Sequence, residues 1–222
     1  MSKEKVGVKF QVKNAEKLAA DISKFGKQGE KVIKYTVVDT KRRSIPIVKE
    51  NILERYNLQK RDLNDKNVAS ITTKSQERLG NINVGVVIRG RVLTIRRFGM
   101  TPKKPPGFQR LKKKERFVAK LKDGTFKTFS RKRKPYSISV EIKKGNKETF
   151  QPQGETRYFL NNIGGGGFVV PWQVEGNGTP EPLKTLSVPQ MLGQVKDKTL
   201  DDIDEVYSKR FKYHYQRLIK KD

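Results

Sequence analysis

His214 is the single histidine of the 222-residue chain, and cysteine is absent. One imidazole with no second His or Cys forms neither a metal cluster nor a nucleophile–base pair, so His214, set among Lys212, Arg217 and Lys220, is expected at the surface or facing a partner. Asp201, Asp202, Asp204 and Glu205 put four carboxylates within five positions, a density that could attract a divalent cation. They fall, however, in the first turn of a helix expected from about Thr199, where the helix dipole already favours negative charge. Gly164–Gly167 has the composition of a phosphate loop, but no Lys-Ser/Thr pair follows and Phe168–Val174 reads as a strand, so a hairpin loop is expected there. Nothing assembles a nucleophile, a base and an oxyanion donor. No catalytic residue, cofactor site or metal site is therefore assigned, and enzymatic activity is not expected.

Charge is the strongest chemical signal. Lys and Arg number 50 against 23 Asp and Glu, a formal net charge of +27, which calls for a polyanion or an acidic protein surface as neighbour. The excess concentrates in residues 101–135, where 14 basic residues face 2 acidic ones. Lys103, Lys104, Arg110, Lys112, Lys113, Lys114, Arg116, Arg131, Lys132, Arg133 and Lys134 are the candidate contacts, and the run reads equally well as a phosphate-binding arm or as an arm docked on acidic protein. Phe117, Leu121, Phe126 and Phe129 flank Asp123-Gly124, so part of the arm reads as a β-hairpin. Those rings, with Phe108, could stack on bases, although alternate phenylalanines in a hairpin more often form core. No zinc-finger or basic-zipper signature supports sequence-specific reading of DNA.

The elements that must carry these residues follow from periodicity. Val6, Val8, Phe10 and Val12 alternate with polar positions as a half-buried strand. Asn14 can cap a long helix whose apolar face runs through Ala15, Leu18, Ala19, Ile22, Gly29, Ile33 and Val37. Pro46 is expected to end or kink it, with a second helical piece to about Asn57. Residues 59–78 show no clear period and read as loop with at most a short helix. Ile82, Val84, Val86 and Ile88 form a strand that Arg89-Gly90 should turn into a partner over Val92–Phe98. Ile138, Val140 and Ile142 mark another strand before a Gly145-Asn146 turn, and Tyr158–Leu160 with Phe168–Val174 flank the glycine run. A terminal helix is expected from Thr199, as N-cap with Asp202 three positions on, to about Lys220, with Ile203, Val206, Tyr207, Phe211, Tyr215 and Leu218 as its stripe. No stretch has the length of a membrane span or signal peptide, so a soluble protein made in a reducing cytoplasm is expected.

The order of these elements, and above all Leu183-Lys184-Thr185-Leu186-Ser187-Val188-Pro189-Gln190-Met191-Leu192, resembles the minor tail protein Z family of phages and prophages, described as tail-completion proteins. The segment is similar to that family's short strand, Ser-Val-Pro-Gln-Met turn and following C-terminal helix. Ile138–Gly145 resembles the strand before the family's glycine-containing hairpin, and Phe168-Val169-Val170 with Trp172 stands where its return strand should be. The likeness spans most of the chain and is strongest over about 137–221. Leu186 departs from the family's glycine before the serine, and the 101–135 insertion is longer and more basic than the family pattern. The resemblance implies a structural virion protein at the head-proximal end of a long tail. It would form a ring with terminator, tube or connector proteins near the DNA path, be made in the host bacterial cytoplasm, and make no membrane contact. Non-specific nucleic-acid binding, in packaging or on the ribosome, is the alternative that charge alone favours. Val188, Pro189, Gln190, Met191, Tyr207, Phe211 and Leu218 are then the expected assembly surface.

The expected fold is α+β, one structural domain with an antiparallel sheet from strands near 6–12, 82–98, 138–143 and 168–174, packed by the N-terminal and C-terminal helices. Along the chain it divides into 1–100, the basic arm at 101–135, and 136–222.

Overall fold

The computed structural model describes residues 4–11, 26–66, 68–78, 81–104, 107–121, 123–133, 137–151, 153–163, 168–176 and 178–219. The fold is α+β, with helices near both ends of the described chain and antiparallel strands in several small sheets. It forms two compact units, residues 1–93 with 184–222, and residues 94–183.

The first unit begins with strand β1, Glu4–Gln11, where the alternation of Val6, Val8 and Phe10 places it. Asn14 and the first expected turns of the long helix lie outside the described residues. Helix α1 then spans Gly26–Arg55. It does not end at Pro46. Pro46 and Arg42 are both exposed, so the carbonyl that loses its donor can be hydrated, while Thr40, Ser44 and Val48 keep the opposite face buried on both sides of the proline. The buried face is Gly29, Val32, Thr36, Val37, Thr40, Ser44, Val48, Asn51 and Ile52. Its hydroxyls are largely satisfied within the helix: Thr36 Oγ1 donates to the Val32 carbonyl at 2.7 Å and Ser44 Oγ to that of Thr40 at 2.8 Å.

The region read as loop holds two elements. Helix α2, Lys60–Asn64, has the Asp62 carboxylate accepting from the Gln59 backbone N–H at 3.2 Å. Strand β2, Ala69–Arg78, pairs over its whole length with β3, Asn81–Gly90, from Ala69↔Gly90 to Arg78↔Asn81. Since β1 pairs with the other side of β3, the order is β1-β3-β2 and β2 is an edge strand. Beyond Ala69 and Ile71 the alternate positions are Thr73, Ser75 and Glu77, so the apolar alternation of a half-buried strand is missing from the sequence. With both sides of β3 occupied, it forms no hairpin with Val92–Phe98. Val92–Thr94 is a separate strand, β4, and Ile95–Phe98 is a 3-10 turn.

Small antiparallel ladders make up the second unit, in place of one continuous sheet. β5, Phe108–Arg110, and β8, Arg131–Arg133, enclose the hairpin of β6, Phe117–Lys120, with β7, Phe126–Phe129. β9, Ile138–Lys143, turns at Lys144-Gly145 into β10, Asn146–Phe150. Gly145 takes the left-handed φ of 79° that the turn needs, and its N–H donates to the Glu141 carboxylate at 2.7 Å. β11, Thr156–Ile163, and β12, Phe168–Glu175, form the hairpin expected around Gly164–Gly167, which themselves lie outside the described residues. The two-residue β13, Glu181–Pro182, adds to β12. Phe98, Met100, Ile138, Val140, Leu160 and Val170 are among the buried apolar side chains of this unit.

The chain re-enters the first unit at β14, Lys184–Ser187. Helix α3, Val188–Gln194, follows at once, and after Val195 helix α4 runs from Lys196 to Leu218. Thr199 is therefore inside α4 and not its cap. The acidic residues at 201–205 lie beyond the first turn, which holds Asp197.

Candidate interaction surfaces

The Ser187–Met191 segment is a capped helix start and not a free turn. Ser187 Oγ accepts from the Gln190 N–H at 3.3 Å, and the Gln190 side-chain oxygen accepts from the Ser187 N–H at 2.8 Å, a reciprocal capping box with proline in the first helical turn. Val188, Pro189, Met191 and Leu192 are buried. A Cβ on Gly90 would lie 2.9 Å from Pro189 Cδ and 3.0 Å from the Val68 carbonyl oxygen, so the proline ring rests on the one residue type that admits it. Of the expected assembly residues, Val188, Pro189, Met191 and Tyr207 are buried within their own unit, Phe211 and Leu218 are half-buried, and Gln190 is exposed.

Helix α4 packs along α1 through a polar network that apolar periodicity could not reveal. Asn51 Nδ2 donates to Asp202 Oδ2 at 2.7 Å and to Thr199 Oγ1 at 3.2 Å, while that hydroxyl donates to the Val195 carbonyl at 2.7 Å. Lys198 pairs with Glu54, which holds the ammonium above its ordinary pKa. Tyr207 is held at about 12, chiefly by burial and secondarily by the Asp204 charge, and its buried hydroxyl has no hydrogen-bond partner. Tyr56 is likewise pushed up by burial.

His214 is not a surface residue. It is 6% exposed, and its Nε2 lies 3.1 Å from Asp39 Oδ2, with Arg210 at 4.0 Å from the same oxygen. Tyr35 and Tyr213 flank the imidazole at centroid distances of 5.7 and 5.1 Å, yet they remain 46% and 50% exposed, and Val38, three positions after Tyr35 on α1, is exposed too. Among the described residues of the first unit these are the large apolar side chains left open to solvent. Asp39 on α1 and His214 on α4 join the two helices close to Tyr35 and Tyr213.

In the second unit the basic arm is ordered as two ladders. Arg110 on β5 and Arg131 on β8 are exposed, as are Lys103 and Lys104 before them. Lys112, Lys113, Lys114 and Arg116 stand exposed on and around the 3-10 turn Lys113–Glu115. Lys132 and Arg133 continue the backbone of β8, and Lys134 lies outside the described residues. The two acids of the arm are tied to backbone. Glu115 accepts from the Lys112 N–H at 2.8 Å, and Asp123 accepts from the Thr125 hydroxyl at 2.7 Å and its N–H at 3.0 Å, which holds the Asp123 carboxyl below the usual range. No ion pair engages the arm's cations among the described residues.

The hairpin phenylalanines do not form a core. Phe117 stacks on Phe129 at 5.4 Å and 13°, but Phe126 is 73% and Val118 61% exposed. Among the described residues no group of three or more His, Cys, Asp or Glu side chains is placed to hold a metal ion, and no helix is long and apolar enough to cross a membrane. Comparison with protein-family models, with curated proteins and with solved structures finds no match.

Proposed function

We propose that the chain is a structural subunit of a long-tailed bacteriophage particle, a tail-completion or neck protein at the head-proximal end of the tail, acting through contacts and not through catalysis. The observation that carries this reading is the Ser187–Met191 segment. The residues most similar to the tail protein Z family are the ones engaged in a reciprocal cap and buried against Gly90, so the likeness falls on a built element and not on loose composition. Assembly then falls to residues that remain open to solvent. Tyr35, Val38 and Tyr213 supply exposed apolar area on the α1–α4 pair, of the kind enriched at protein interfaces, and a second copy or a terminator, tube or connector protein is the neighbour this reading assigns to it.

Deleting the gene from the phage that carries it should leave heads and tails that fail to join, and labelled protein should be found as a ring at the proximal end of purified tails. Infectious particles that lack the protein would overturn the reading. The exposed cations of the arm, unpaired among the described residues, favour a second one, a non-specific nucleic-acid-binding protein of packaging or of the ribosome. That reading takes over if the protein is absent from particles and sediments with nucleic acid instead.

A further inference from the structure

We infer that the β6–β7 hairpin is a binding site for single-stranded nucleic acid, with the Phe126 ring as a stacking platform for a base and the surrounding lysines and arginines as phosphate contacts. The inference rests on the arm meeting nucleic acid and not acidic protein, and it names the form of nucleic acid. It is independent of where in a particle the chain sits.

The register fixes which side chains share a face. Lys120 pairs with Phe126 and Val118 with Thr128, so these four stand on one face; Phe117 with Phe129 and Ala119 with Lys127 stand on the other. On the second face the two phenylalanines cover each other. On the first, Phe126 and Val118 have no such cover, and the Lys120 Nζ lies 6.0 Å from the Phe126 ring centroid. The platform is held by its turn. The Leu121 N–H donates to the Thr125 carbonyl at 2.7 Å, the Gly124 N–H to that of Leu121 at 3.0 Å, and Asp123 clamps Thr125. The backbone next to the ring is thus fixed by hydrogen bonds before any ligand arrives, with the ring itself in solvent.

Charge selects the occupant. Residues 107–133 carry 11 basic side chains against 2 acidic ones, and both acids are bonded to backbone N–H groups. An acidic protein or a duplex would satisfy the cations and leave the ring unused, because duplex bases are stacked away inside the helix. A lipid surface calls for a broad apolar face, whereas Val118 and Phe126 share their face with Lys120 and the partly exposed Phe117 lies on the other. A single strand offers both features within one nucleotide: a π-face for Phe126 and a phosphate for Lys120 and its neighbours.

The test measures binding of the full chain to a fluorescent 20-mer of deoxythymidine, to a duplex of equal length and to vesicles containing anionic lipid, at two salt concentrations. Single strand is expected to bind more tightly than duplex, and F126A is expected to weaken single-strand binding by about 5- to 150-fold with duplex binding unchanged. F126W should retain affinity and F126L should not, which separates stacking from simple apolar contact. With Phe126 in solvent, these variants leave folding intact, and circular dichroism verifies it. Equal binding of both forms with no effect of F126A overturns the single-strand inference and leaves a general polyanion-binding arm. Binding to neither form, or to vesicles alone, overturns the nucleic-acid reading of the arm with it.

Discussion

On the α1–α4 pair, Asn51, Thr199 and Asp202 meet one another largely out of water, and His214 meets Asp39. On the arm, Lys112, Lys113, Lys114, Arg116, Lys120 and Lys127 stand in solvent, with no carboxylate paired to them among the described residues. Burial explains the first set, since a desolvated polar group must find a partner or destabilise the fold. Folding gives no reason for the second set. Exposed cations so close in sequence repel one another, so their cost in the isolated chain points to a ligand that offsets it. Of the residues that look most chemical in the sequence, His214 and Asp202 therefore serve helix packing, while Asp201, Asp204 and Glu205 are exposed on α4.

Substitutions can break or sharpen that contrast. The largest effect is expected at Gly90: G90V drives branched carbons into Pro189 and the Val68 carbonyl, and should cost about 3 kcal/mol by denaturant unfolding, with G90A costing less. A G90V midpoint equal to wild type would mean that the Ser187–Met191 segment is not seated as described. Next is N51A, which leaves Asp202 and Thr199 without their donor and should cost about 2–3 kcal/mol. If N51A is neutral, the helical pair does not depend on its polar network and the contrast with the arm collapses.

Tyr207 gives a smaller effect tied to pH. Its folded value of about 12 lies above the ordinary tyrosine value of 10.0, so the neutral phenol contributes stability that is fully present below pH 10 and lost as pH rises through about 12. Two pH units correspond to about 2 kcal/mol or somewhat more. Y207F removes a hydroxyl that has no hydrogen-bond partner, so it should be nearly neutral at pH 7 and more resistant than wild type to unfolding between pH 10 and 12. Identical alkaline transitions would show that Tyr207 ionises without unfolding the pair. The smallest stability effect is expected on the arm, where K112Q/K113Q/K114Q should shift unfolding by within about 0.5 kcal/mol. The same change should reduce the slope of log affinity for single strands against log salt by about 2. A large loss of stability would make these lysines structural after all.

Where one physical rule governs an element, the sequence is readable. β1, β3 and β9 follow from alternate Val, Ile and Phe positions, and the β6–β7 hairpin from aromatic residues about Asp123-Gly124. Where tertiary contact overrides the local rule, it is not. β2 carries apolar residues only at Ala69 and Ile71 and is defined by its pairing along β3, and α1 passes Pro46 because only its solvent face loses a bond. Its buried stripe at Thr36, Thr40, Ser44 and Asn51 is polar and reads as solvent-facing. Thr199 has the residue type of a cap, but its partner Asn51 lies 148 positions away, beyond any local pattern. For the candidate site, the arm is legible as charge, and its ring positions as a hairpin. That Phe126 faces solvent requires the register and the exposure together.

The first unit is discontinuous, with α1 supplied early in the chain and α4 after the whole of residues 94–183. On the ribosome, Asn51 waits for Thr199 through synthesis of the intervening stretch, on the order of 10–30 s at ordinary elongation rates. During that interval the 94–183 segment, whose longest pairings are local hairpins, can close first, while the buried face of α1 stays wet. A face on which Thr36, Thr40, Ser44 and Asn51 interrupt Val32, Val37, Val48 and Ile52 withstands such a wait better than an unbroken apolar one, because bare hydroxyls and amides do not recruit other nascent chains. The composition that hides this helix face from a hydrophobic pattern is thus also a safeguard against aggregation while its partner is still being made.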